Sequence, residues 1–263
     1  MDLQIDSNVA LVTASSSGLG KASARALAAE GANVVMNGRD EDRLQDAVED
    51  VREDATGEVV GYAGDLTVPE DITTLVDQTV EEFGGMDHLV TSAGGPPSGP
   101  FLETDEEDWY EAFDLLVMSV VRLVQESAEH LQADGGGTIV NITSRSVKEA
   151  IDGLVLSNSV RMSVIGLEKT LSKELAPEVR ANAVLPGTHE TPRIQELVEQ
   201  AVERGEYDSY EEGMDTRSSG IPVGEVGDPM GLGRTVAFLS SPESGYINGQ
   251  AIVLDGGAGS SNL

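Results

Sequence analysis

The sequence contains no cysteine, which excludes every site that depends on a thiol. Disulfides, thiolate metal sites and cysteine nucleophiles therefore play no part in this protein. Histidine is scarce as well: His88, His130 and His189 are far apart in the sequence and have no metal-binding spacing. We predict that the protein holds no metal.

Basic residues are also few. Lysine and arginine number 16 against 47 aspartates and glutamates, which gives a formal net charge of -31. Nucleic acids and anionic membranes are therefore excluded as expected partners, because like charges repel. The acidic residues recur between apolar segments, as expected of solvated helix faces. This even acidic coat indicates a salty cytoplasm in which counterions screen the repulsion, and an ordinary acidic protein is the alternative.

Long apolar runs are missing too. No segment approaches the roughly 20 apolar residues of a membrane helix, and the start MDLQIDSNVA lacks the basic and apolar regions of a signal peptide. We expect a soluble, cytoplasmic protein. With 263 residues, 39% of them hydrophobic, the chain is long enough for a substantial core, and residues 1–263 are predicted to form one domain.

Short β-branched runs alternate along the chain with longer amphipathic stretches. The predicted strands are 8–13, 33–37, 58–65, 88–94, 138–144, 180–187 and 251–257, and the predicted helices are 21–32, 41–54, 69–83, 105–131 and 156–176. This alternation predicts the α/β class: a doubly wound Rossmann domain with a central parallel sheet and helices on both faces. The section 188–245, rich in Glu, Gly and Pro, is predicted to be irregular and to form a substrate lid.

The stretch TASSSGLGKASARAL (13–27) has the strand, small-residue turn and helix that dinucleotide binding requires. Gly18 and Gly20 allow the backbone to approach a pyrophosphate, and the free N–H groups at the helix start attract phosphate. A purely structural turn is the alternative. The cofactor contacts predicted in this turn are Thr13, Ser15, Ser16, Ser17, Gly18, Leu19 and Gly20.

Three later segments add ligand-compatible residues at strand ends. Asp65 ends the third predicted strand, where a carboxylate accepts from an adenine amino group, and small residues end the fourth at Ser92, Ala93 and Gly94. After the second strand, Arg39 stands where an arginine meets the 2′-phosphate of NADP. NADP(H) is therefore the favoured cofactor, and the adjacent Asp40 keeps NAD(H) possible.

Several blocks now resemble the short-chain dehydrogenase/reductase family in their order and spacing. They are TASSSGLG, with Ala14 for the first glycine of a TGxxxGxG turn, then GDLT, SAGG, GGTIVNITS, VIGLEKTLSKELAP, RANAVLPGTHETP and YINGQAIVLDGG. The resemblance covers nearly the whole chain and is strongest to members like the 3-oxoacyl-carrier-protein reductases, in an atypical branch. It implies further cofactor contacts at Leu66, Pro186, Gly187 and Thr188, and assembly as a homotetramer or homodimer.

The family's catalytic residues are mostly replaced. The resemblance implies a serine that orients a carbonyl, a tyrosine that transfers the proton, a lysine that assists the tyrosine, and an asparagine that supports a water relay. Alignment on VIGL (164–167) places these positions at Ser144, Ser157, Arg161 and Leu116, so only the serine is kept.

Other groups must then handle the proton. Ser157 can relay a proton but is a poor donor, whereas Arg161, one helical turn away, can bind the ribose and stabilise an oxyanion. His189 is the candidate titrating group, with a solvent-facing loop histidine as the alternative. The sequence thus predicts an NAD(P)(H)-dependent oxidoreductase acting on a small carbonyl or alcohol. The alternative is a non-catalytic nucleotide-binding member that acts as a sensor or assembly subunit.

Overall fold

A computed structural model describes residues 1–133 and 135–261, apart from the side chains at positions 193, 196, 197 and 200. The strands within these residues are β1 (Val9–Val12), β2 (Asn33–Gly38), β3 (Val59–Ala63), β4 (His88–Thr91), β5 (Gly137–Ile142), β6 (Val179–Pro186) and β7 (Ala251–Leu254). They pair in parallel as one sheet in the order β3-β2-β1-β4-β5-β6-β7. The predicted doubly wound Rossmann fold is confirmed.

Helices cover both faces of this sheet. They are α1 (Gly18–Ala29), α2 (Glu41–Arg52), α3 (Pro69–Phe83), α4 (Glu106–Phe113), α5 (Ser119–Gln132), α6 (Val155–Glu174), α7 (Pro192–Glu203), α8 (Tyr210–Ser219) and α9 (Pro229–Ser240). Helices α1, α2 and α9 share one apolar core, which includes Leu27 and Val236. Helices α3, α5 and α6 share the core on the opposite face, which includes Leu75 and Leu123. Because both faces are covered, the strands are continuously apolar rather than alternating.

The section 188–245 is largely helical, which corrects the prediction that it is irregular. It contains α7, α8 and α9, and both Pro192 and Pro229 stand at the start of a helix, where the missing N–H has no helical partner in any case. Helix α9 packs closely on α1 at Gly233, where a Cβ would clash with the Ala22 carbonyl oxygen. Helix α9 is therefore part of the scaffold, and the lid remains a prediction for α7 and α8.

The long helix predicted at 105–131 is interrupted. It begins with a capping box between Asp105 and Asp108, and a π turn over Asp114–Met118 then separates α4 from α5. An ion pair between Asp114 and Arg122, at 2.7 Å, spans the turn. A π turn inserts one residue into the helix and is often found at a functional site. This one contains Leu116.

The strand order reverses direction between β1 and β4. In such a sheet the loops after these two strands diverge and leave a crevice at the carboxyl ends of the strands. That crevice is the natural position for a ligand. Within the part of the chain that the structure describes, no helix has the length and apolar character needed to cross a bilayer.

Candidate functional site

The turn between β1 and α1 is built for close approach by an anion. Ser17 is the N-cap of α1 without a side-chain hydrogen bond to the helix, so the first-turn N–H groups face the crevice. Gly18 has a positive φ of 58°. At Gly20 a Cβ would lie 2.5 Å from the Ala14 carbonyl oxygen and 3.0 Å from the Ser15 Cα. Backbone N–H groups at a helix start, without side chains in front of them, fit a pyrophosphate.

A Gly20→Ala variant is expected to bind NADPH at least 10-fold more weakly. The added methyl group has only backbone atoms to displace, so the turn must shift, at a cost of about 1–3 kcal/mol. Fluorescence titration with NADPH measures the affinity. Gly231→Ala, in the exposed first turn of α9 where a Cβ meets nothing within 4 Å, is the matched control. Equal affinities of the two variants would contradict this role of the turn.

A crevice of about 470 Å³ runs from this turn across the ends of β2, β3, β4 and β5. Most of the predicted cofactor contacts line it: Ser16, Ser17, Gly18, Leu19, Gly20, Arg39, Asp65, Leu66, Ser92, Ala93, Gly94 and Arg161. Thr13 and Ser15 do not. Their hydroxyls are buried and donate to the carbonyls of Ser92 and Val12 at 2.8 and 2.7 Å. These two side chains hold the strand ends together, which corrects the prediction that they contact the cofactor.

The residues after β6 that line the crevice lie further along the chain than predicted. Among the described side chains, those that line it are Thr191 and Pro192 rather than Pro186, Gly187 or Thr188. Gly187 lies against Asp255, to whose Cβ an added methyl would come within 2.5 Å. Positions 186–188, which are predicted cofactor contacts, do not line the crevice, whereas Thr191 and Pro192 at the start of α7 do.

Two arginines face one end of the crevice. Arg39 is largely exposed and lies 4.0 Å from Asp65, and Arg43, in the first turn of α2, lines the same end. Asp40 caps α2 by accepting from the Arg43 N–H at 2.9 Å, so its carboxylate is already engaged. The sequence prediction missed Arg43. Its position four residues after Arg39 was the signal that could have indicated a second arginine at this end of the crevice.

The Asp65 carboxylate is held by the segment that follows it. Its Oδ1 accepts from the Thr67 N–H and hydroxyl at 2.9 and 2.7 Å. The backbone hydrogen bond from Thr67 is the main reason why the pKa of Asp65 lies below its usual value. Thr67 therefore fixes the Asp65 carboxylate, and Val68 is the N-cap of α3.

Arg161 enters the other end of the crevice from α6. Only 9% of the residue is exposed. Its Nη2 donates to the Gly94 carbonyl at 3.2 Å, while its buried Nε has no partner. Burial lowers the pKa of Arg161 to about 10, so the guanidinium stays charged at neutral pH. A buried cation with unused donors can hold ribose hydroxyls or an anion.

The three predicted catalytic positions besides His189, which are Ser144, Ser157 and Arg161, are not hydrogen-bonded to one another. Ser144 caps the 3₁₀ turn Arg145–Val147 by accepting from the Ser146 N–H at 3.1 Å. The hydroxyl of Ser157 instead lies 3.1 Å from that of Ser146, and both residues are buried. Ser146 was missed because the family pattern counts back thirteen residues from position 157 and so selects Ser144. The Ser146–Ser157 hydroxyl pair is a feature that only the structure reveals.

His189 is buried and turned away from the crevice. Its Nδ1 lies 3.2 Å from the Gly187 carbonyl oxygen. Its ring packs on Gly227 and borders a separate cavity of about 250 Å³. This corrects both earlier interpretations, a proton carrier beside the nicotinamide and a solvent-facing histidine.

His88 is a structural residue. Its ring nitrogens pair with Asn8 and Thr138, each at 2.9 Å. Burial lowers its pKa to about 3, so it stays neutral. Across residues 1–133 and 135–261, no group of three or more histidine, aspartate or glutamate side chains is arranged to hold a metal ion.

The position predicted for the asparagine of the water relay is apolar in the structure as well. Leu116 is buried in the π turn and borders a cavity of about 10 Å³ together with Arg161 and Val164. Such a cavity is close to the minimum that holds one water molecule. The structure therefore leaves space for about one water molecule beside Arg161, where the predicted asparagine position is apolar.

Comparison with known proteins gives consistent matches. Residues 13–259 match the family model described as enoyl-(acyl carrier protein) reductase. The chain is 32% identical over 256 residues to the 3-oxoacyl-[acyl-carrier-protein] reductase FabG of Thermotoga maritima, covering 97% of this chain and 99% of the relative. It is 33% identical over 251 residues to the short-chain reductase protein NovJ of Streptomyces niveus, covering 95% and 93%.

Two solved structures with NADPH are similar over nearly the whole chain. L-sorbose reductase from Gluconobacter frateurii, complexed with NADPH and L-sorbose, superposes with a TM-score of 0.95 at 29% identity, covering 99% of this chain and 100% of that one. An actinorhodin polyketide ketoreductase with NADPH has a TM-score of 0.90 at 32% identity, covering 97% and 98%.

Proposed function

Since the chain belongs to the short-chain dehydrogenase/reductase family, we propose that it is an NADP(H)-dependent reductase of a small carbonyl compound, working without the family's tyrosine. One observation carries the proposal. The charged residues among those described around the crevice are Arg39, Arg43, Arg161 and Asp65, an excess of cations in a chain of net charge -31. Arg39 and Arg43 suit the phosphates of a dinucleotide, and Arg161, at the other end of the crevice, is placed to meet the nicotinamide ribose.

NADP(H) fits the arginine end of the crevice better than NAD(H). Arg39 and Arg43 offer two guanidinium groups to a 2′-phosphate, and Gly38 leaves no side chain at the position of an NAD-selecting acid. Asp40 is occupied as a helix cap, which weakens the support for NAD(H).

Replacing Arg39 or Arg43 by serine is expected to raise the Kd for NADPH by about 10- to 100-fold, because a charge-assisted hydrogen bond is worth about 1.5–3 kcal/mol. The Kd for NADH should change little. Titration of both cofactors against both variants measures the preference. Arg234→Ser, at an exposed position of α9, removes the same charge away from the crevice and is the control. A similar loss of NADH and NADPH affinity would contradict 2′-phosphate binding.

When bound, the nicotinamide supplies a hydride, so the protein must orient the carbonyl and handle one proton. Ser144 accepts the Ser146 N–H through its oxygen, which leaves its own proton to donate to the carbonyl oxygen. Arg161 holds the cofactor ribose and stabilises charge on the reacting oxygen. Ser157, oriented by Ser146, passes a proton from water.

A non-catalytic nucleotide-binding role is the second candidate, and the residues at three predicted catalytic positions favour it: Leu116, Ser157 and Arg161. Rapid mixing with NADPH and a panel of ketones and 3-oxoacyl thioesters at high salt separates the two. Oxidation of NADPH supports the reductase. Tight NADPH binding without oxidation across the panel supports the sensor or assembly subunit.

We also propose that the protein works in a salty cytoplasm as a homotetramer or homodimer. Tyr110 and Phe113 on α4, Met162 on α6 and Val253 on β7 expose apolar surface. We propose that the protein assembles through these three elements, α4, α6 and β7. Light scattering after gel filtration measures the oligomeric state.

A further inference from the structure

Arg161 carries a charge that the described residues do not neutralise. It forms no ion pair with any of their carboxylates, and one carbonyl, that of Gly94, accepts from its Nη2. Its Nε is buried without a partner. Removing a guanidinium from water without a counter-charge is unfavourable, so the site gains when an anion arrives.

The walls around Arg161 are uncharged. Leu115, Ile142 and Thr143 line the crevice beside it, and Leu116 and Val164 border the small cavity behind it. The other charged groups of the crevice lie at the ends of β2 and β3 or in α2. Arg161 contacts Gly94, which follows β4, and β2 lies two strand spacings from β4, roughly 10 Å. The other charged side chains that line the crevice are therefore not in contact with an anion beside Arg161.

Ribose hydroxyls do not complete this site. They are neutral, so they can accept hydrogen bonds from the guanidinium without balancing its charge. A guanidinium has five N–H donors in a planar fork, which is enough for a ribose hydroxyl and a carboxylate at once. The anionic partner is thus to be sought in the second ligand, the substrate.

We propose that Arg161 binds a carboxylate of the substrate, so that the substrate class is a small 2-oxo or 3-oxo acid rather than a neutral ketone. The inference rests on the proposed reductase function. In these acids the carboxylate is one or two carbons from the carbonyl, within reach of one guanidinium. Reduction adds a hydride from NADPH to the carbonyl carbon and a water proton to its oxygen, and the carboxylate is unchanged. Chloride has the same charge and is the competing source of an anion.

The test compares acetoacetate with its neutral methyl ester on the NADPH-saturated protein. Binding is followed by the change in NADPH fluorescence, and turnover as kcat/KM for NADPH oxidation. The acid is expected to bind at least 10-fold more tightly than the ester. Arg161→Gln, which keeps an N–H donor but loses the charge, should reduce the ratio of acid to ester affinity from at least 10-fold to about 1, measured at NADPH concentrations that saturate the variant. Arg161→Lys, which keeps the charge, should retain part of the acid preference.

Three outcomes would overturn the inference. In the first, the wild-type protein shows equal affinity for acid and ester, a result that stands even if the variants do not fold. In the second, Arg161→Gln lowers the affinities for the acid and for the ester by the same factor, so that the acid preference is unchanged. In the third, the acid binds more tightly but the ester alone is reduced, which would make the acid an inhibitor and not the substrate. An acid preference that is present in potassium sulfate and weakened in potassium chloride at matched ionic strength would support the anion site, because chloride competes there with the carboxylate. Failure of the wild-type protein to bind NADPH at all would instead count against the proposed function.

Discussion

A Ser144→Ala variant is expected to lose about 100-fold in kcat while its Kd for NADPH stays within about twofold. A preorganised donor to a developing oxyanion is worth about 100- to 1,000-fold in rate. The hydroxyl oxygen of Ser144 is fixed by the Ser146 N–H at 3.1 Å, so the direction of its proton is restricted before substrate binds. Single-turnover mixing with saturating NADPH measures the loss, using whichever carbonyl substrate the wild-type protein reduces.

Ser146→Ala is the matched control, since it removes a hydroxyl two residues away. Ser146 contacts the Ser157 hydroxyl, so it positions Ser157 and we expect a loss of about 10-fold. The pH profile should also move in Ser146→Ala and not in Ser144→Ala, because only the former disturbs the proton path. If Ser146→Ala loses more activity than Ser144→Ala, Ser146 and not Ser144 donates to the substrate carbonyl, and the roles proposed for the two serines are exchanged.

The sheet could be predicted from sequence because its strands are buried on both faces. Runs such as β1 and β6 read as continuous apolar segments, and the amphipathic segments between them give the crossovers. The helices of 188–245 were missed because proline and glycine were read as helix breakers. In the structure Pro192 and Pro229 begin helices, and Gly233 permits the contact of α9 with α1.

The site was predictable where backbone position decides it, and not where side-chain direction does. Gly18, Gly20 and Arg39 follow strand ends, which parallel pairing brings to one edge. Ser15 shares that edge, but its hydroxyl turns inward to β1 and β2. A 3₁₀ turn brings Ser146 next to Ser157, and the spacing of apolar residues in the sequence does not predict such a turn.

Glu168 is a buried carboxyl group in α6 that should make stability depend on pH. Its Oε1 has no hydrogen-bond partner. Burial raises its pKa to about 7 from 4.5, partly opposed by the charge of Lys169. The folded state therefore holds this proton more tightly than the unfolded state. The resulting stability is fully present below about pH 4.5 and is lost as the pH rises through 7.

Glu168→Gln is accordingly expected to raise the free energy of unfolding by about 2 kcal/mol at pH 8.5 and by much less at pH 5, since one pKa unit corresponds to 1.36 kcal/mol. Urea denaturation at the two pH values measures both differences, and comparison at each pH cancels the other titrating groups. Glu174→Gln, an exposed position on the same helix, makes the same change of charge without the burial. A pH-independent effect at position 168, or an equal one at 174, would show that bulk charge and not desolvation is responsible. Helix α6 also carries Ser157 and Arg161. If Glu168→Gln gains stability at alkaline pH and still binds NADPH normally, the buried carboxyl group affects the stability of the helix and not its contribution to the crevice.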